Sequence, residues 1–250
     1  PRSAGGAWIE PFDPKLSGGQ GGRAYYAECN AWTYTWSVQH DVAGLIELMG
    51  GRETFVARLD QLFIEPCDNA KWHFLGQFPD STGLIGQFVT GNEPSFHIPY
   101  LYDFAGAPWK TQRRIRQIMD IWFDDTPLGL CGDEDGGAMS AWHIFNSIGF
   151  LPTCPGEPYY ALGSPVFERV ELHPPDGPVF TLTAEGSSPQ NKYIQNATLN
   201  GVPHERPWFP HHAIQNGGEL TLVMGPRPNK SWGSRPEDAP PSLSDGARSR

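Results

Sequence analysis

Hydrophobic side chains recur at helical spacing through the first half of the chain. One stripe covers residues 38–49 and ends at Gly50-Gly51, and a second covers residues 55–63 and ends at Pro66. Residues three or four positions apart share one face of a helix, so the two stripes predict a pair of amphipathic helices. The two-glycine break between them predicts an αα-hairpin.

The same spacing predicts three further helices. They cover residues 98–105, residues 108–122 with Pro108 in the first turn, and residues 139–148. In the last helix the positions expected to face inward are Ala141, Ile144, Phe145 and Ile148. Polar, Gly-rich loops at 76–94 and 124–138 separate the helices. Stacked hairpins with such loops at one end are typical of an α-toroid or solenoid whose loops carry the function.

After residue 155 the pattern changes to that of β-strands. The segments that alternate or are rich in β-branched residues are 167–172, 179–183, 193–199 and 219–224, and Asn200-Gly201 is a strong hairpin signal. The sequence therefore predicts an α+β protein with helices over residues 1–154 and antiparallel strands over 155–232. The Pro/Ser/Arg-rich segment 233–250 is predicted to be disordered.

Composition and charge narrow the classes of function. The formal net charge is -10, which argues against a nucleic-acid partner. No segment approaches the ~18 consecutive apolar residues that a membrane span requires. Residue 1 is Pro and no secretory leader pattern follows it, so we expect the chain to be a piece of a longer protein. The four cysteines form no CxxC pair, which favours buried apolar cysteines and leaves one or two disulfides open.

Three polar clusters fall in loops or at helix ends, and the first surrounds Glu28. This carboxylate lies between Tyr26 and Trp32, with Trp36 nearby. A sugar site uses such a combination, because an indole stacks on the sugar and partial desolvation raises the pKa of the carboxyl group for acid catalysis. The alternative is a capping or ion-paired glutamate beside tryptophans of the core.

The second cluster contains Gln87, Asn92, Glu93 and His97. Amide and carboxylate oxygens near a helix start suit a hard cation such as calcium, which takes six to eight oxygen ligands. The alternative is a helix start capped by Ser95, with Glu93 favouring the helix dipole and His97 serving only in packing.

The third cluster is Asp133-Glu134-Asp135, directly before the helix predicted at 139–148. Three adjacent carboxylates repel one another unless a cation, water or a helix N-terminus relieves them, and an exposed acidic turn is the alternative. One isolated glutamate and a separate aspartate pair match the two-carboxylate logic of glycoside hydrolysis.

At these clusters the chain resembles the calcium-dependent exo-α-mannosidases of glycoside hydrolase family 92, in order over roughly residues 5–233. The segments that carry the resemblance include Glu28-Cys29-Asn30-Ala31-Trp32, Gly91-Asn92-Glu93-Pro94-Ser95, Gly132 to Gly137, Met139-Ser140-Ala141-Trp142 and Tyr160-Ala161-Leu162-Gly163-Ser164-Pro165. The resemblance implies part of an (α/α)6 toroid, followed by strands that join a β-sandwich built mostly from an N-terminal half that this chain lacks. It also implies inverting hydrolysis of terminal α-mannosyl residues in an extracytoplasmic compartment.

The resemblance also implies a role for each site residue. Glu28 is the expected general acid, and Asp133 with Asp135 the expected water-activating pair. The expected calcium ligands are Gln87, Asn92 and Glu93, and the expected substrate contacts are Trp32, Asn92, Glu93 and His97.

The sequence departs from the family pattern at three points. Cys29 stands where glycine is usual, Phe96 where histidine is usual, and Gly136-Gly137-Ala138 where Cys-Gly-Gln is more common. Two other hypotheses stay open: a calcium-dependent carbohydrate-binding module without catalysis, and an inactive truncated product.

Overall fold

Among the residues that the structure describes, helices predominate up to residue 148 and strands after it, as the hydrophobic pattern predicts. A computed structural model of the chain describes residues 2–15, 26, 29–67 and 82–245. The helices in these ranges are α1 Ala31–Tyr34, α2 Val42–Leu48, α3 Arg52–Leu62, α4 Leu101–Phe104, α5 Pro108–Trp122, α6 Ala138–Ile148 and α7 His212–Gln215. Short 3-10 turns at Glu93–Ser95 and Ile98–Tyr100 lead into α4, and another covers Pro236–Asp238.

The first predicted helix begins later than its apolar stripe. The stripe starts at residue 38, whereas α2 begins at Val42 because Asp41 is its N-cap. The carboxylate of Asp41 accepts the backbone N–H of Gly44 at 3.1 Å and so satisfies a donor that the helix itself leaves unpaired.

The inward face predicted for α6 is wrong at Ala141 and Ile144, which are exposed, whereas Phe145 and Ile148 are partly buried against the cores. Ile144 is 56% exposed, whereas Met139, Trp142 and Asn146 are buried. The indole N–H of Trp142 donates to the Phe96 carbonyl at 3.1 Å, and the Asn146 Oδ1 accepts the Tyr100 hydroxyl at 2.7 Å. A polar residue therefore belongs to the buried stripe, because its hydrogen bonds offset its desolvation.

The strands form a hairpin and two larger sheets. In chain order they are β1 Leu84–Ile85, β2 Phe88–Val89, β3 Phe150–Leu151, β4 Tyr159–Leu162, β5 Arg169–Leu172, β6 Phe180–Glu185, β7 Tyr193–Leu199, β8 Val202–Pro203, β9 Trp208–Pro210 and β10 Gly218–Gly225. The five-stranded sheet has the order β5-β6-β10-β7-β8, and the three-stranded sheet the order β3-β4-β9. The hairpin predicted at Asn200-Gly201 is confirmed, since β7 and β8 pair across it.

The predicted all-antiparallel pairing is wrong at one position. β10 runs parallel to β6, with Leu220 opposite Leu182, and antiparallel to β7 on its other side. β7 does not pair with β6, and β10 later occupies the position between these two strands. The alternation of side chains along a strand does not indicate in which direction the strand runs.

Two hydrophobic cores meet at β3 and β4. The helical core buries residues such as Phe55 and Ile115, and the β core buries residues such as Phe180 and Leu222. The boundary predicted at residues 154–155 falls in the loop between β3 and β4, which pair with each other.

Arg116 of α5 joins the helical and β parts. Its Nε donates to both the carbonyl and the hydroxyl of Ser164 at 3.1 Å, and its Nη2 donates to the Pro165 carbonyl at 2.5 Å and the Ser187 hydroxyl at 3.1 Å. A buried guanidinium with four acceptors fixes the β segment that follows β4 against the helix.

The disorder predicted for residues 233–250 is wrong for residues 233–245, which pack on the helices and on β9. The Leu243 N–H donates to the His40 carbonyl at 3.0 Å, and the Ser244 hydroxyl donates to Asp41 at 2.6 Å. The Trp208 indole donates to the Asp238 carbonyl at 3.1 Å. These hydrogen bonds hold in place a segment that its composition alone predicts to be disordered.

Two further expectations concern cysteines and membranes. The four cysteines, all in the described ranges, form no disulfide. Within the same ranges, no helix is both long and apolar enough to cross a bilayer. Closure into an (α/α)6 toroid and joining of a β-sandwich stay predictions.

Candidate active site

Two of the candidate loops touch each other through glycines. Gly132 has a φ of +70°, and a Cβ atom placed on it would lie 2.3 Å from the Gly91 carbonyl oxygen and 2.5 Å from the Gly91 Cα. Backbone can approach this closely only where no side chain intervenes. The second cluster, at residues 91–93, and the third, at 133–135, therefore lie side by side.

The first cluster is tied to the second by a thiol. Cys29 is buried, and its Sγ donates to the Asn92 Oδ1 at 2.8 Å across 63 positions of sequence. Its φ is +52°, in the left-handed region that favours glycine. Glycine is usual at this position in the family that the sequence resembles, and this backbone conformation explains why. In this chain the hydrogen bond from the Cys29 thiol offsets the conformational cost of a non-glycine residue.

Asn30 fixes the same junction from its other side. It is fully buried, its Oδ1 accepts the backbone N–H of Trp32 at 3.0 Å as the N-cap of α1, and its Nδ2 donates to the Gln87 Oε1 at 2.9 Å. Gln87 lies in the two-residue turn between β1 and β2, and its Nε2 donates to the Pro66 carbonyl at 3.0 Å. The Gln87 amide therefore joins α1, the β1–β2 hairpin and the segment after α3.

The acidic turn at 133–135 directs its two aspartates outward. Asp133 and Asp135 are exposed, and Asp135 has a φ of +50°. Glu134 turns back instead: its carboxylate accepts the backbone N–H groups of Gly137 and of Ser140, the latter at 3.1 Å. The N–H groups at the start of α6 thus stabilise the charge of the Glu134 carboxylate and reduce the repulsion among the three carboxylates. A helix N-terminus is one of the three arrangements that the sequence analysis considered.

The electrostatics of Glu134 follow from these bonds. Hydrogen bonds from Ser140 and Gly137 hold the pKa of Glu134 below its ordinary value. Glu134 therefore stays charged beside the start of α6, and its fixed position constrains the turn that carries Asp133 and Asp135.

His97 is engaged on both sides of its ring. Its Nε2–H donates to the Trp36 carbonyl at 2.8 Å, and its Nδ1 accepts from the Gln39 amide at 3.4 Å. The ring is 4% exposed, and burial lowers the pKa of His97 to about 4. The imidazole is neutral at neutral pH and positions Trp36, as in the packing alternative. Contact between His97 and substrate stays a prediction, and the burial of the ring argues against it.

Trp32 lines a cavity to which Glu93, Asp133 and Asp135 do not contribute. The cavity has a volume of about 400 Å³ and is bounded by Pro14, Ala31, Trp32, Thr35, Trp36, Arg58 and Gln61. The indole N–H groups of Trp32 and Trp36 are buried, with no hydrogen-bond partner among the described residues. Contact between Trp32 and a sugar also stays a prediction.

Glu28 lies outside the described residues, so its role stays a prediction based on its place next to Cys29. Glu93 is partly exposed at the start of the 3-10 turn that follows Asn92. This glutamate neighbours the Gly91–Gly132 contact in sequence.

The residues expected to hold calcium offer the right type of ligand. Amide oxygens of Gln87 and Asn92 and the carboxylate of Glu93 are hard donors. The Gln87 amide oxygen also accepts a hydrogen bond from Asn30, and the Asn92 amide oxygen accepts one from Cys29. Both residues are buried, with 2% and 3% of their surface exposed. Across the described ranges, no group of three His, Cys, Asp or Glu could hold a metal ion. The set fits calcium in kind, and water and sugar hydroxyls would have to complete the coordination.

Asn30 and the Gly91–Gly132 pair are the positioning residues that the sequence interpretation missed. Asn30 precedes the Ala-Trp-Thr-Tyr start of α1, and an asparagine there is a recognisable N-cap signal. The glycine contact has no local signal, because it depends on two loops 41 positions apart meeting in space.

Comparison with known proteins identifies the family of this chain. The sequence profile described as the glycosyl hydrolase family 92 catalytic domain matches residues 1–226. The chain belongs to glycosyl hydrolase family 92. Family membership confirms the resemblance drawn from the three clusters.

Relatives of this family 92 chain are glycosidases and mannosidases. A protein of Arthroderma benhamiae named as an uncharacterized secreted glycosidase is 38% identical over 224 residues, which cover 88% of this chain and 26% of the relative. A family 92 α-mannosidase of Bacteroides thetaiotaomicron, solved with mannoimidazole, matches 97% of the chain with a TM-score of 0.88 and 36% identity. A family 92 inverting mannosidase of the same organism (VPI-5482) matches 97% with a TM-score of 0.81 and 40% identity.

The chain spans only part of these relatives. It covers 32% and 33% of the two mannosidase chains and about a quarter of the secreted glycosidase. The mixed helix-and-strand architecture is shared over the matched part.

Proposed function

We propose that this chain carries the catalytic carboxylates of an inverting exo-α-mannosidase, which removes terminal α-linked mannose from glycans. The observation that carries the proposal is the pair of contacts between loops, Cys29 to Asn92 and Gly91 to Gly132. These contacts bring the neighbour of Glu28, the expected calcium residues and the neighbour of Asp133 to one region. The α-mannosidase relatives support the substrate class.

The mechanism assigns different chemistry to the two kinds of carboxylate. Glu28 protonates the glycosidic oxygen as the leaving alcohol departs, and Asp133 with Asp135 orients and deprotonates a water molecule on the opposite face of the sugar. Inversion requires carboxyl groups roughly 6.5–9.5 Å apart, so that water fits between them. The outward direction of Asp133 and Asp135, with Glu134 turned away, supports their role as the pair that meets water.

Calcium is part of the proposal. Asn92 and Glu93, with Gln87 in support, would hold the ion through oxygen atoms. Bound there, calcium would supply a hard positive centre for vicinal sugar hydroxyls. The chain's own contribution is the fixed amide of Asn92, which the Cys29 thiol orients.

Two substrates with different leaving groups separate the roles. Glu28→Gln should lower release from a mannose disaccharide by about 10²–10⁴-fold, and should cost much less on an activated aryl mannoside whose phenolate leaves without a proton. Asp133→Asn should slow both substrates alike, because both need the attacking water. Asp125→Asn, a change at an exposed aspartate of the same loop, is the matched control and should leave both rates unchanged. Equal losses on both substrates in Glu28→Gln would remove Glu28 from the acid role.

The activity is proposed to need the N-terminal half of a family 92 enzyme. The chain spans about a third of the mannosidases it matches, and Leu128 and Ile144 are 91% and 56% exposed. If the N-terminal half covers these side chains in the whole enzyme, the chain alone presents uncovered apolar surface, which favours association. We expect the chain alone to be poorly soluble and inactive, and co-expression with a family-like N-terminal half to restore both properties. A monodisperse chain that turns over mannosides alone would contradict this.

The rival functions predict different results. A carbohydrate-binding module would bind mannosides with calcium but release no reducing sugar, whether or not the N-terminal half is present. An inactive truncated product would do neither.

A further inference from the structure

The sequence contains two Asn-x-Ser/Thr tripeptides, the acceptor pattern for N-linked glycans. They are Asn196-Ala197-Thr198 and Asn229-Lys230-Ser231, and neither has proline at the middle position. Their two asparagines lie in contrasting environments, so the fold distinguishes them where the motif does not.

Asn196 lies on the face of the five-stranded sheet that the β core of this chain does not cover. It is exposed in the middle of β7, and the next residue, Ala197, is 4% exposed on the core side. Across the strand pair it lies opposite Val223 of β10, and Thr198 lies opposite Thr221. All three of these neighbours are partly exposed. Among the described residues, no hydrogen bond engages the Asn196 carboxamide, so a sugar on its nitrogen displaces no internal contact.

Asn229 is built into the protein instead. Its Nδ2 donates to the Gln195 carbonyl at 2.7 Å, and its Oδ1 accepts the backbone N–H groups of Ser231 at 3.0 Å and Trp232 at 3.3 Å. Trp232 is 2% exposed and donates its indole N–H to the His204 carbonyl at 2.9 Å. A glycan on Asn229 would have to leave between β7 and the turn at 229–232, and would disturb the seating of a buried tryptophan.

We propose that Asn196, and not Asn229, is an N-glycan acceptor when this chain is made in a secretory pathway that glycosylates asparagine. The donor is an oligosaccharide linked to a lipid diphosphate. A bond forms between the Asn196 Nδ2 and the sugar C1 while the bond from C1 to the diphosphate oxygen breaks. The lipid diphosphate leaves with the electron pair, and the amide loses one proton to the transferase. The product adds a bulky, hydrated group at the surface.

The compartment required by this step is supported by the secreted glycosidase to which the chain is 38% identical. The proposal is independent of mannoside hydrolysis, because it uses the face of the sheet that the β core does not cover and none of the candidate catalytic residues.

Site mapping on the full chain tests the proposal. The chain, preceded by a secretion leader, is expressed in a eukaryotic host, and both the secreted protein and the fraction retained in the endoplasmic reticulum are collected. Glycans are removed by an amidase in heavy-oxygen water, which converts a modified asparagine into a labelled aspartate. Cleavage after glutamate separates the two sites, because Glu205 and Glu219 lie between them.

We expect label at Asn196 and none at Asn229. Thr198→Val keeps the β-branched shape on the strand but removes the acceptor pattern, so it should abolish the glycan-dependent shift in electrophoretic mobility. Ser231→Ala removes the second pattern but leaves the backbone N–H that Asn229 accepts, and should leave the shift unchanged. Label at Asn229, or absence of label at Asn196 in both fractions, would overturn the proposal.

Discussion

Gly132→Ala tests whether the two candidate site loops, at residues 91–93 and 133–135, are in contact. Gly132 has a φ of +70°, and its new Cβ would lie 2.3 Å from the carbonyl oxygen and 2.5 Å from the Cα of Gly91. Both neighbours are backbone atoms, so neither can rotate away as the end of a flexible side chain could. The substitution must therefore separate the loop at 91–93 from the loop at 133–135.

The cost has two parts. A non-glycine residue in the left-handed region costs about 1–2 kcal/mol, and overpacking against a fixed neighbour adds about 1–3 kcal/mol. Gly132→Ala should therefore lower the free energy of unfolding by about 2–5 kcal/mol. Gly136→Ala is the matched control, because Gly136 has a φ of +67° but no atom within 4 Å of its added Cβ. It should cost only the conformational part, about 1–2 kcal/mol.

Equilibrium unfolding in urea, followed by tryptophan fluorescence, measures both changes. The protein form used is the chain alone or with the N-terminal half, whichever unfolds in a single cooperative transition. Gly132→Ala should exceed Gly136→Ala by about 1–3 kcal/mol, and it should also slow mannoside hydrolysis more. Equal losses of stability in the two variants would refute the close approach of the loops.

Three further predictions concern buried titratable groups and calcium. The pKa of His97 is about 4 in the folded protein against an ordinary value of 6.5, so its contribution to stability is present above pH 6.5 and is lost as the pH falls through 4. Relative to His97→Gln, the protein should lose on the order of 3 kcal/mol of unfolding free energy over that interval, and parallel pH profiles of the two proteins would contradict the burial of His97. Asp103 is fully buried, and this burial raises its pKa well above the ordinary value, against the opposing effect of the Thr111 hydroxyl. Its stabilising contribution is therefore present at low pH and lost as the pH rises, so Asp103→Asn should be more stable than the parent at pH 7 by a margin that shrinks towards pH 4. A margin independent of pH in urea unfolding would show that Asp103 does not titrate as inferred. Removal of calcium by a chelator should abolish mannoside hydrolysis and added calcium should restore it, whereas activity that survives exhaustive chelation would defeat the metal assignment alone.

The sequence predicts the helices well where Gly or Pro residues mark the ends of a segment with helical spacing of its apolar residues. Gly50-Gly51 separates α2 from α3, and Pro108 opens α5, as predicted. The buried face of α6 is not predictable in this way, because Asn146 occupies a core position through its bond with Tyr100. Periodicity counts apolar residues and so passes over a polar residue whose hydrogen bonds are satisfied.

Long-range features escape the sequence for a different reason. The parallel pairing of β10 with β6 depends on the path of the chain between them, and the order of residues 233–245 depends on partners such as Asp41 and Trp208 far away in sequence. The roles of Glu28, Asp133 and Asp135 rest on the resemblance to family 92 and stay predictions. That Cys29 and Gly132 bring the loops together could not be predicted, since each contact is made only after folding.

The anomeric form of the first product tests the central claim most directly. The chain is co-expressed with a family-like N-terminal half, an α-mannoside is added, and proton NMR follows the sugar released in the first turnovers, before mutarotation. Hydrolysis by Glu28 and the water-activating pair Asp133 and Asp135 predicts that β-mannose accumulates first, because water attacks the face opposite the leaving group. Initial release of α-mannose, or no release of mannose by the assembled pair, would contradict the account.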